Sequence, residues 1–128
     1  MTSRDILVID DEAFVRKIIC DNMRMSGFGV SVAAGCDEGL SMIDPASPPG
    51  VIITDIIMPQ KSGFEVIAEV SKRYPSVKIV AISGGGKMKE GDEDLLEKAA
   101  EAGAHAVLAK PLDIDELERT VEILLSDT

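Results

Sequence analysis

Five short apolar runs recur along the chain: Ile6–Ile9, Val30–Ala33, Val51–Thr54, Lys78–Ile82 and Ala106–Ala109. Four are continuous rather than alternating, and β-branched residues lead most of them. That predicts strands covered on both faces, hence a parallel sheet. Val30–Ala33 is the poorest run and suits an edge. Between the runs the spacing turns helical. From Glu12 to Ser26, Val15, Ile18, Ile19 and Met23 repeat on one face, and Gly27 is placed to close the helix. Gly63–Arg73 carries Val66, Ile67 and Val70 and ends at Tyr74-Pro75. Asp92–Ala102 opens with Asp92 as N-cap and closes on Gly103. Asp113–Leu125 repeats that form, and Asp37–Ile43 predicts a short, weaker helix before Pro45, Pro48 and Pro49. Strand and helix alternate five times, which makes residues 1–128 one doubly wound, three-layered α/β domain.

Polar residues gather where the runs end. Ile6–Ile9 runs into Asp10-Asp11-Glu12, Val51–Thr54 into Asp55, Lys78–Ile82 into Ser83 and Ala106–Ala109 into Lys110. Right-handed crossovers put all these ends on one edge of the sheet, where open α/β folds bind ligands. Singly, Asp10 and Asp11 suit helix caps, Ser83 a turn and Lys110 a solvated surface. Asp55 resists such a reading, because it precedes Ile56, Ile57 and Met58 rather than a helix start. An ionised carboxylate in that company is costly unless it has a partner.

Three carboxylates and one ammonium leave the predicted edge with an excess of negative charge. Two carboxylates ~4 Å apart repel by about 4 kcal/mol at an effective dielectric near 20. Oxygen-only ligands favour a hard cation such as Mg²⁺, with Mn²⁺ as a substitute. A carboxylate held beside such an ion can act as a nucleophile and become an aspartyl phosphate.

Composition narrows the setting. The chain has 128 residues, a formal charge of −10 and four aromatic residues, three Phe and one Tyr, so its core is aliphatic. The charge argues against nonspecific nucleic-acid or anionic-membrane binding, and no run approaches a membrane span. MTSRDILVIDD lacks a secretion signal, while Cys20 and Cys36 fit no metal or redox spacing and read as reduced packing residues. The expectation is a cytoplasmic protein.

Four motifs in register, VIDDE at 8–12, TDIIMPQKSG at 54–63, AIS at 81–83 and LAKP at 108–111, resemble the receiver domain of two-component response regulators. The resemblance covers essentially the whole chain. It implies a flavodoxin-like five-stranded parallel sheet in the order 2-1-3-4-5 with five helices. It implies a phosphoacceptor at Asp55, and Mg²⁺ held by Asp10, Asp11, Asp55 and the carbonyl of Ile57, with Asp11 as the more direct ligand. Ser83, the Gly84 backbone and Lys110 would contact the phosphoryl group. Lys110-Pro111 would be cis, and Met58-Pro59 with Gly63 would shape the turn into the third helix. The donor would be a histidine kinase or phosphotransfer protein, and the output a partner protein or effector domain. The face of the fourth helix, last strand and last helix would switch and can form a homodimer.

Three positions depart from the family pattern. The aromatic switch position holds Val107, which makes coupling to Ser83 through an aromatic ring doubtful. Ile57 and Gly85, each two past a site residue, offer no polar group to orient an attacking water, so slow phosphate loss is expected. SGGGKMKEGDED lengthens the connection after the fourth strand and reads as a mobile loop; it lacks the Gly and Ser/Thr of a phosphate-cradling P-loop. Other classes fare worse. A haloacid-dehalogenase-type phosphatase expects DxD and a cap, and a flavin protein would not place three acids where its phosphate binds. A phosphate-independent scaffold is the alternative to a phosphoacceptor, and a turnover enzyme is not expected. The native-looking start at Met1 and the end beyond the last helix favour a stand-alone form.

Overall fold

A computed structural model describes residues 3–58, 61–83 and 92–126, with only the backbone of 92–96. Five strands alternate with five helices: β1 (Asp5–Ile9), α1 (Ala13–Met25), β2 (Gly29–Ala33), α2 (Cys36–Ser41), β3 (Val51–Asp55), α3 (Gly63–Arg73), β4 (Lys78–Ser83), α4 (Asp92–Ala102), β5 (Ala106–Ala109) and α5 (Ile114–Ser126). The strands form one parallel sheet in the order β2-β1-β3-β4-β5. This is the expected flavodoxin-like arrangement, with β2 at an edge.

The continuous apolar runs are explained by the two faces of the sheet. Successive side chains point to opposite sides. Leu7, Ile9, Ile52, Ile79 and Ala81 pack with Val66, Ile67 and Val70 of α3 and Ala99 of α4. Ile6, Val8, Val51, Ile53, Val80 and Ile82 pack with Ile19 and Met23 of α1 and Leu117 and Val121 of α5. Neither face of the central strands meets water, so neither needs polar residues. Cys20 and Cys36 are buried and unbridged.

Helix ends follow the local signals with one shift. Gly27 (φ 92°) and Gly103 (φ 125°) take the left-handed conformation that terminates α1 and α4. Asp113 Oδ1 accepts the Glu116 amide at 3.2 Å just before α5. Asp92, expected as a cap, is instead the first residue of α4. His105 is exposed, and its Nδ1 accepts the Ile79 amide at 3.0 Å, extending the β4–β5 pairing by a side chain. The readings made on Pro59, on Gly84 and Gly85, and on the long loop after β4 lie outside the described residues. Among the described residues, no helix is long and apolar enough to cross a membrane.

Gly63 fixes how closely α3 approaches the end of β3. Its amide donates to the Ile56 carbonyl at 2.7 Å, and a Cβ at this position would run into the carbonyl oxygen of Asp55. Backbone cannot swing aside as a side-chain tip can. Gly63→Ala is therefore expected to lose about 1–3 kcal/mol, the usual range for overpacking. Urea unfolding measures it; an unchanged midpoint would contradict the close approach.

Candidate functional site

The register of the sheet brings four of the predicted residues to one rim. Ile9 lies opposite Thr54, Asp55 opposite Ile82, and Ser83 opposite Ala109, so Asp10, Asp55, Ser83 and Lys110 end neighbouring strands at nearly one level. The Lys110 amide donates to the Ser83 carbonyl at 2.8 Å, and the Lys110-Pro111 bond is cis. Val107, on β5, is partly buried against one core.

Asp10 is 1% exposed. Its amide donates to the Ala33 carbonyl at 3.1 Å, and its Oδ1 accepts the Glu12 amide at 2.8 Å. From one turn into α1, Arg16 reaches back and donates to the Asp10 carbonyl at 2.7 Å. Asp55 is 4% exposed, and the Ile57 amide lies 3.4 Å from its Oδ1. Lys110 Nζ sits 3.1 Å from Asp10 Oδ2 and 3.3 Å from Asp55 Oδ2, its side chain 6% exposed. The Asp10 contact is a buried ion pair, and among the described residues no other group donates to Asp10 Oδ2. Among the described residues, Ser83 Oγ is likewise buried without a hydrogen-bond partner. Asp11 is exposed, and one oxygen from each of Asp10, Asp11 and Asp55 falls within 4.8 Å of the others.

One lysine does not neutralise this group. Burial raises the pKa of Asp10, an effect that the Glu12 amide and Lys110 only partly offset. Asp55 is pushed up to about 6, first by burial and then by the charge of Asp10, again partly offset by Lys110. Burial works against the Lys110 ammonium, but Asp55 and Asp10 outweigh it and hold its pKa above that of an ordinary lysine. Two buried carboxyls that resist ionisation beside an exposed third fit a hard divalent cation. Asp10 Oδ2, with the Lys110 ammonium as its neighbour, keeps a lone pair that such an ion would use.

Two residues outside the predicted set, Glu12 and Arg16, join the site. Glu12 stands in the acidic run after β1, and its Oε1 lies 3.4 Å from Lys110 Nζ. The basic residue one turn into α1, able to reach back over the loop it follows, was the available signal for Arg16.

The family model described as response regulator receiver domain matches residues 6–122. The chain belongs to that family. It is similar to the transcriptional regulatory protein PdtaR of Mycobacterium tuberculosis, 31% identical over 125 residues that cover 96% of this chain and 57% of that protein. The receiver therefore spans about half the length of that regulator. A response regulator receiver domain protein from Clostridium thermocellum superposes with a TM-score of 0.85 at 29% identity, covering 95% of this chain and 94% of that one. TrrA from Thermotoga maritima, solved in complex with Mg²⁺-BeF, superposes with a TM-score of 0.78 at 29% identity, covering 98% of this receiver and 100% of TrrA. Receiver domains serve phosphorelay signalling in two-component systems, and the relatives are regulators rather than turnover enzymes.

Proposed function

We propose that residues 1–128 form one cytoplasmic receiver that accepts a phosphoryl group on Asp55 from a histidine kinase or phosphotransfer protein. The observation that carries this reading is the position of Asp55. It is a buried carboxylate at the strand-end rim, with Lys110 at 3.3 Å and Asp10 and Asp11 close enough to share a cation. Asp10, Asp11, Asp55 and the Ile57 carbonyl would hold Mg²⁺ or Mn²⁺, which would supply positive charge against the transferred group. A carboxylate oxygen of Asp55 attacks phosphorus, the P–N bond to the donor imidazole breaks, and the electron pair leaves with that nitrogen, which takes up a proton.

The chain's own residues prepare that transfer. The Ile57 amide and Lys110 hold the Asp55 carboxylate from two sides, and Asp55 itself is buried. Lys110 then offers its ammonium to phosphoryl oxygens as the carboxylate loses its own charge. Ser83 Oγ, buried without a hydrogen-bond partner among the described residues, has a hydrogen free for a phosphoryl oxygen, and the Gly84 backbone would add an amide. Because the Lys110 amide is bonded to the Ser83 carbonyl, both contacts pull on the β4–β5 pair. The face of α4, β5 and α5 would shift population in response and present itself to an output partner or a second copy. With Val107 rather than an aromatic residue on β5, that shift does not depend on a turning ring. Ile57, 55% exposed at the mouth, offers no hydrogen bond to an attacking water, so the phosphate is expected to persist beyond seconds.

Intact mass after acetyl phosphate and Mg²⁺ tests this. The wild type is expected to gain one phosphoryl group and Asp55→Ala none, with the gain abolished by a chelator. No gain in the wild type would favour the phosphate-independent scaffold. Loss of the label within seconds of donor removal would contradict the slow hydrolysis expected with the apolar Ile57 side chain at the mouth.

A further inference from the structure

Among the described residues, Lys110 Nζ has three carboxylate neighbours rather than two. Beside Asp10 and Asp55 stands Glu12, its Oε1 3.4 Å away. An ammonium carries three N–H donors and no acceptor, so three carboxylates can engage all of them. The partners differ in burial: the side chains of Asp10 and Asp55 are 1% and 6% exposed, that of Glu12 54%. Glu12 occupies the N-cap position of α1 yet makes no side-chain capping bond. Its main chain is held at both ends, the amide by Asp10 Oδ1 at 2.8 Å and the carbonyl by the Arg16 amide at 3.1 Å. Only the side chain is free to move, and it lies against the lysine.

We propose that Glu12 is a specificity-determining residue that acts through Lys110. Its carboxylate competes for the ammonium and sets a negative charge at the mouth, so small, highly charged phosphodonors are disfavoured. Transfer to Asp55 removes one of the lysine's carboxylate partners, and phosphoryl oxygens take that place. Glu12 remains beside the ammonium and competes with the arriving phosphoryl oxygens for it. Its exposure lets it swing to solvent at little cost, so it restrains the site without closing it. This inference rests on Asp55 being the acceptor.

The test compares second-order phosphorylation rates of wild type and Glu12→Gln at saturating Mg²⁺, with doubly charged acetyl phosphate and singly charged phosphoramidate, at low and high salt. Glu12→Gln is expected to react roughly three- to tenfold faster with acetyl phosphate at low salt, the scale of one exposed charge a few ångströms from the donor's path. The gain should be smaller with phosphoramidate and shrink at high salt, where exposed charges are screened. A rate equal to or below wild type, or a gain indifferent to donor charge and salt, would overturn the proposal. If the wild type gains phosphate and Glu12→Gln gains it no faster, only the role of Glu12 falls. If the wild type gains none, the assignment of Asp55 falls and takes this inference with it.

Discussion

Replacing Lys110 with methionine is expected to destabilise the metal-free protein by about 3–5 kcal/mol at neutral pH, the range for removing one partner of a buried ion pair. Lys110 lies within 3.3 Å of both Asp10 and Asp55, and the three side chains are 6% exposed or less. Without it, two buried carboxylates face each other with no neighbouring cation among the described residues. Methionine keeps most of the apolar stem, so the loss reports charge rather than packing. The remedy open to the variant is protonation. The gap to wild type should therefore narrow toward about pH 4, where carboxyls already pushed upward by burial become neutral. Urea unfolding in chelator at both pH values measures it. A Lys110→Met midpoint equal to wild type at neutral pH would mean that the lysine is not the counter-charge of the pair.

Asp55→Asn is expected to act in the opposite direction. Burial, with Asp10 adding to it, raises the Asp55 pKa from 3.8 to about 6. The folded protein thus holds the proton more tightly than the unfolded chain does. The stability tied to that proton is fully present below about pH 4 and is lost as pH rises through about 6, a total of about 3 kcal/mol. Asparagine mimics the neutral carboxyl at every pH. Metal-free Asp55→Asn should therefore match wild type near pH 4 and exceed it at neutral pH. Millimolar Mg²⁺ should then stabilise the wild type far more than the variant, since only the wild type gains by neutralising this charge. Thermal or urea unfolding across pH, with and without Mg²⁺, checks both halves. A variant that is less stable than wild type at neutral pH without metal would contradict the strain assigned to Asp55.

Much of the fold could be read from the chain because its signals are local and strong. Val51–Thr54 is apolar on both faces since both faces are covered, and Gly27 and Gly103 stand where the backbone needs a positive φ. The rim could also be anticipated, because parallel strands with right-handed crossovers send Asp10, Asp55, Ser83 and Lys110 to the same edge whatever their side chains do. What escaped were contacts made by long side chains. Glu12 reaching Lys110 across 98 residues of chain, and Arg16 clasping the Asp10 carbonyl, depend on rotamers that no periodicity encodes. Asp92 missed its expected cap by one position, as helix termini often do. Pro59 and Gly84 keep only their sequence-based roles.

Identifying the phosphorylated atom is the most direct trial of this reading. Borohydride reduces an aspartyl phosphate to homoserine, leaving a permanent mark at the acceptor. After treatment with acetyl phosphate and Mg²⁺, reduction and peptide mapping should find homoserine at position 55 alone. Homoserine at Asp10 or Asp11, or at no position, would show that Asp55 is not the nucleophile.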